Sequence, residues 1–103
     1  MAKYRIIFSL KALSDIDNLV QFVASIYTFE AGKRFGKHFR SQIYALRKSA
    51  GAFAVSNKKD VLAHHPQAKS VYIGKKKKWL VIFWVERDIC YIERIIPSAS
   101  VKE

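Results

Sequence analysis

Apolar residues recur along this chain at two different periods, and the change of period divides it into elements. Lys3 to Ser9 alternates and is rich in β-branched and aromatic residues, which predicts a short strand with Tyr4, Ile6 and Phe8 on one face. Ser9 then stands where a helix cap is needed. Leu13, Ile16, Val20, Val23 and Tyr27 follow at spacings of 3, 4, 3 and 4, one stripe of an amphipathic helix, and Leu19, Phe22 and Ile26 widen it. Asp15 and Asp17 lie near the start of that helix, where the macrodipole favours negative charge. Thr28-Phe29-Glu30 interrupts the stripe and can cap a second helix from about Ala31 to Ala50. Its stripe is Ala31, Phe35, Phe39, Ile43, Leu46 and Ala50, with Lys33, Lys37, Arg40, Arg47 and Lys48 on the opposite side. Two such helices joined by so short a link predict an antiparallel hairpin.

From Gly51 to Ala68 no period is sustained, so a loop is expected, with a helical turn near Lys59 to Ala63. The last third reads as strands. Ser70 to Gly74 is short and ends in glycine, whereas Trp79 to Val85 is apolar on both faces, as in a central strand buried from both sides. Glu86-Arg87-Asp88 is a polar turn, Ile89 to Ile96 returns, and Pro97 stops the ladder. The order βααβββ predicts an α+β fold in one domain over residues 1–103, a helical hairpin packed on one face of a small antiparallel sheet.

Charge changes this picture from a scaffold to a binding protein. The 103 residues carry 19 Lys and Arg against 8 Asp and Glu, a net charge of +11, beyond what solubility requires. Thirteen of the cations fall between Ala31 and Val85, where Asp60 is the only acid. Leaving so much like charge unpaired costs self-repulsion, so an anionic partner is expected: RNA, DNA or an acidic protein segment. Half the residues are hydrophobic, which excludes a disordered basic tail. Cys90 is the single cysteine, so no internal disulfide forms and a reducing, cytoplasmic setting fits. No apolar run is long enough to span a bilayer, and the apolar stretch after Met1 is too short for a signal peptide.

Several chemistries lack their residues. The four glycines are scattered and build no phosphate loop, and one Cys with three His gives no zinc spacing, so no metal and no cofactor are expected. His64-His65-Pro66 reads as ordinary loop surface and Cys90 as a small core residue. The run Lys75, Lys76, Lys77, Lys78 cannot all face one way on a strand, so part of it is solvated turn and part is available to a nucleic acid or target protein. Arg94 lies in an apolar strand, so it either faces a functional surface, the preferred reading, or pairs with a carboxylate such as Asp15. Trp79, Phe83 and Tyr91 read as core rather than as base-stacking platforms.

Three stretches carry a resemblance to a known family: Tyr4-Arg5-Ile6-Ile7-Phe8-Ser9 with Ala12-Leu13-Ser14-Asp15-Ile16-Asp17; Ala31-Gly32-Lys33-Arg34-Phe35; and Trp79 to Val85 with Cys90-Tyr91-Ile92-Glu93-Arg94-Ile95-Ile96. In this order they resemble the ParE/RelE superfamily of toxins from type II toxin–antitoxin modules, the plasmid stabilisation proteins, over most of the chain except Gly51 to Lys69. The resemblance implies growth inhibition neutralised by a cognate, often acidic antitoxin, with Lys33, Lys37 and Arg40 as antitoxin contacts, in a toxin–antitoxin hetero-oligomer. It also implies one of two targets. ParE-like members poison DNA gyrase without a catalytic centre, whereas RelE-like members cut messenger RNA in the ribosome and require an acid, a base and positive charge. For the second chemistry Arg94, Glu93 and Lys78 are the candidates, but the tail Pro97 to Val101 lacks the usual His or Tyr. Neighbours on a strand also face opposite ways, so Glu93 and Arg94 could share a site only across a bulge. The ParE-like reading is therefore preferred, with a RelE-like endonuclease and a non-toxic nucleic-acid-binding protein as alternatives.

Overall fold

The computed structural model describes residues 3–100; Val101, the end of the tail compared above, lies outside them. The elements follow the expected order: β1 (Arg5–Phe8), α1 (Leu10–Ile26), α2 (Phe29–Tyr44), α3 (Leu46–Ser49), α4 (Lys59–Leu62), β2 (Lys69–Ile73), β3 (Trp79–Glu86) and β4 (Ile89–Pro97). Both long helices start at hydroxyl caps. Ser9 Oγ accepts from the Ala12 N–H at 2.9 Å, and Thr28 Oγ1 from the Ala31 N–H at 3.0 Å.

α1 and α2 form the expected hairpin, and two glycines bring them close. A Cβ on Gly32 would lie 2.9 Å from the Val20 carbonyl and from Ala24 Cβ, and one on Gly36 would lie 2.7 Å from Val20 Cγ2. The buried face of α1 is turned from the expected stripe: Ala12 and Ile16 are buried, whereas Leu13 is 48% and Tyr27 73% exposed. α1 has to meet both α2 and β4, which shifts its inward face by one position. The second helix, expected unbroken to Ala50, ends at Tyr44 and resumes as α3. Beyond the break Leu46 and Ala50 still reach the core, and the Arg47 carbonyl accepts from the Tyr4 N–H at 2.8 Å. In an uninterrupted helix that carbonyl would be taken by the N–H four residues on.

The strand order is β1-β4-β3-β2. β2, β3 and β4 are antiparallel as expected, while β1 joins the edge parallel to β4, so the sheet is mixed. The helical layer and the β2–β3 hairpin lie between these two strands in sequence and supply the long crossover that a parallel pair requires. β3 is buried from both sides. Val81 and Phe83 pack under the helices with Phe39, Ile43, Ile92 and Cys90. Leu80 and Ile82 face the other way, onto Val61, Ala68 and Ile96. Val61, Ala68 and the segment between them therefore cover the second face of the sheet. There His65 stacks on Trp84 with centroids 4.1 Å apart, and Trp84 stacks on Tyr91 at 4.2 Å. His65 is a packing residue, correcting its reading as loop surface. No helix among the described residues is long and apolar enough to cross a membrane.

Candidate functional site

The helical hairpin leaves a groove of about 600 Å³ along its outer side. Leu13, Ile16 and Val20 of α1 line it on one side, and Lys33, Arg34, Lys37 and Arg40 of α2 on the other. Leu13, misfitted to the core stripe, is thus groove lining. Spacings of three and four residues put Lys33, Lys37 and Arg40 on one helical face, and Gly36 between them lets α2 close onto Val20 at the groove floor. Asp17 and Glu30 also border the groove, so four cations meet two acids around an apolar floor. Lys33 Nζ sits 5.5 Å from the Phe29 ring centroid, within cation–π range. An amphipathic segment with carboxylates along one side fits this chemistry.

The other expected residues do not converge on one point. β4 carries a register shift: Ile82 pairs with Arg94 and Phe83 with Ile92, which leaves Glu93 as the extra residue of a bulge. Just there β1 gives way to the start of α1, whose side chains satisfy the exposed edge of β4. Ser9 Oγ donates to the Glu93 carbonyl at 2.7 Å. Asp15 accepts from Arg94 Nε at 2.8 Å, from Arg94 Nη2 at 3.1 Å and from the Ile95 N–H at 2.9 Å. The hydrogen bond to Asp15 raises the Arg94 guanidinium above its ordinary value; burial opposes this, and the charges of Asp15 and Glu93 assist. Arg94 therefore makes the ion pair with Asp15, the second of its two readings, while its side chain stays 31% exposed. Lys78 lies at the far end of the same ladder, its carbonyl accepting from the Ser98 N–H. At about 3.3 Å per residue its backbone is on the order of 13 Å from that of Arg94.

Lys75, Lys76, Lys77 and Lys78 are all exposed in the turn joining β2 to β3. Lys76 and Lys77 have left-handed φ of 58° and 53°. Phe83 is fully buried and Trp79 packs beside Phe39, both as core residues; Tyr91 lies on the opposite face against Trp84. Cys90 is buried, and desolvation pushes its thiol up to about 12 against a lowering pull from Lys69. No group of three His, Cys, Asp or Glu side chains able to hold a metal is assembled among the described residues. Three features escaped the sequence reading: the close packing at two glycines, the bond from the Ile95 N–H to Asp15, and the cover over the second face of the sheet. Gly32 and Gly36 were legible as small residues four apart on one helical face. Asp15, one of the two alternatives read for Arg94, was named, but the third bond it accepts, from the Ile95 N–H 80 residues away, left no local signal. The roof formed by Val61 and Ala68 lies in a stretch without period.

No family model and no curated protein matches the sequence. A solved structure does: that of the chromosomal ParDE toxin–antitoxin system from P. aeruginosa superposes with a TM-score of 0.76 over 92% of this chain and 96% of that chain, at 16% identity. At that identity the likeness is one of fold. This chain has the ParE/RelE-like toxin fold.

Proposed function

We propose that this chain is the toxin of a type II toxin–antitoxin module, ParE-like in acting on DNA gyrase without a catalytic centre of its own. A cognate acidic antitoxin segment neutralises it by lying in the α1–α2 groove. The observation that carries the reading is the fold shared along nearly the whole chain with a ParDE toxin–antitoxin structure. The groove supports the partner's chemistry. Rim pairs with Lys33, Lys37 and Arg40 are worth about 0–1 kcal/mol each, so they supply steering and register. The apolar floor supplies most of the affinity, and a segment disordered until it binds can follow the groove's length. Either target of this superfamily sets the action in the cytoplasm. Purified chain is expected to bind the product of the adjoining small reading frame. Reversing Lys33, Lys37 and Arg40 to Glu should weaken that complex more than tenfold and flatten its salt dependence. Unchanged binding by the triple variant rejects the groove as the antitoxin site.

One observation favours the RelE-like endonuclease as a second reading: the bulge at Glu93, the device that would let Glu93 and Arg94 serve one site. Against it stand the pairing of Arg94 with Asp15 and the distance to Lys78. The nuclease predicts cleavage of translated messenger RNA that Arg94→Ala abolishes. Intact transcripts during growth arrest exclude it.

A further inference from the structure

The turn between β2 and β3 presents charge differently from the groove. Lys75, Lys76, Lys77 and Lys78 are consecutive and exposed, and none of them lines the α1–α2 groove. Among the described residues no carboxylate pairs with any of the four. Lys76 and Lys77 hold φ of 58° and 53°, where a turn ordinarily uses glycine or asparagine. The turn thus accepts backbone strain to keep lysine at its tip, which a plain connection does not require. Gly74 and the four lysines bring no apolar side chain, so the tip offers charge alone. The two rings that border it are already capped by cations. Lys58 Nζ lies 5.0 Å from the Tyr72 ring centroid and donates to the Tyr72 hydroxyl at 2.7 Å. Lys78 Nζ lies 5.7 Å from the Trp79 centroid, and the Trp79 ring also packs edge-on against Phe39.

We propose that this turn is a sequence-independent contact for the phosphate backbone of duplex DNA. Charge without an apolar floor selects the partner. An acidic protein segment that meets only exposed ion pairs gains little from each and loses chain entropy on becoming ordered. A duplex is already stiff, carries one negative charge per roughly 1.7 Å of axis, and releases condensed counterions as lysines replace them. Proteins hold single strands by stacking bases on open rings, and here both neighbouring rings are covered. Lysine ammonium groups are point charges without the rigid fork of arginine, so the contact positions the chain on DNA without choosing a sequence. The acidic partner and the DNA thus have separate sites, the groove with its apolar floor and the turn with none. The DNA contact does not rest on the toxin reading, and its failure would leave that reading standing.

Fluorescence anisotropy tests this, with the isolated full-length chain, made by cell-free synthesis, titrated into a labelled mixed-sequence duplex of about 20 bp. The logarithm of the affinity should fall linearly with the logarithm of salt concentration, with a slope of about −3 to −4, near −0.9 for each lysine. That is on the order of a hundredfold between about 50 and 200 mM. The triple variant Lys75→Gln, Lys76→Gln, Lys77→Gln should bind more than tenfold more weakly at about 50 mM salt, with a slope shallower by about 2–3 and an unchanged far-UV spectrum. Lys33→Gln, Lys37→Gln, Arg40→Gln removes the same charge from the groove and should change the affinity by less than about threefold. Equal losses in the two triple variants would leave net charge as the cause and overturn the proposal, as would a duplex left unbound at about 50 mM salt. A single-stranded RNA of the same length bound more tightly than the duplex also overturns it. So does a poly-glutamate peptide that loses as much affinity to the turn variant as the DNA does, because the turn then serves an acidic protein segment.

Discussion

Asp15 receives three hydrogen bonds and is 14% exposed, so its carboxylate holds the bulged end of β4 to the helical layer. Hydrogen bonds to charged groups are worth about 1.5–3 kcal/mol, and Asp15→Ala would leave both the guanidinium and the Ile95 N–H without their acceptor. The expected loss is about 2 kcal/mol, read as a lower urea midpoint. Arg94→Lys should cost less, because Asp15 keeps its bond to Ile95. Cys90 gives a second test at this scale. Its thiol rises from 9.0 to about 12 on folding, through burial, so it stays neutral in the fold while an unfolded chain ionises it above 9.0. The unfolded state then binds fewer protons, and stability falls by about 1.4 kcal/mol per pH unit within that window. Below 9.0 the contribution is complete. Urea midpoints of the parent and of Cys90→Ala should therefore converge as pH rises above 9.0; parallel curves would remove the thiol from the account. Lys76 and Lys77 adopt a left-handed backbone that costs an L-residue roughly 1–2 kcal/mol. Lys76→Gly is expected to raise the midpoint, giving back about 1 kcal/mol after the entropy glycine loses on folding.

The α1–α2 hairpin is where sequence and structure agree most closely and also where they part. Hydroxyl caps at Ser9 and Thr28 and the stripe Phe39-Ile43-Leu46-Ala50 were legible, because caps and helical period are local signals. The rotation of α1 was not. Leu13 and Ala12 are equally compatible with an apolar stripe, and only contact with β4 selects Ala12 for the core. The same holds for the sheet. Antiparallel pairing of β2, β3 and β4 follows from short turns, whereas the parallel pairing of β1 depends on the whole crossover. At the site, the exposure of Lys33, Lys37 and Arg40 was readable from spacing, but the groove needed Gly32 and Gly36 to set how closely the helices approach. Arg94 shows the limit: a charge in an apolar strand offered two readings, a functional surface or a pair with Asp15, and only the fold brings Asp15 to 2.8 Å. Gly36→Ala tests the close packing. It gains about 1 kcal/mol of helix propensity but forces a Cβ to 2.7 Å from Val20 Cγ2, an overpacking worth about 1–3 kcal/mol. Net destabilisation in thermal melts is expected; a more stable variant would mean that the helices can separate at no cost.

Across the whole molecule, charge is distributed by function. The cations line the α2 side of the groove and the β2–β3 turn, while the stretch from Ala12 to Phe29 has none. The groove side of the hairpin is thus suited to an acidic segment. The second face of the sheet is covered by Val61 and Ala68 and by the stacked rings of His65, Trp84 and Tyr91. The central claim is toxicity relieved by a partner, and viable counts after induced expression in a bacterial host test it most directly. The account predicts arrest when the chain is expressed alone and restored growth when the product of the adjoining small reading frame is co-expressed. Undiminished growth on expression of the folded chain alone would contradict it.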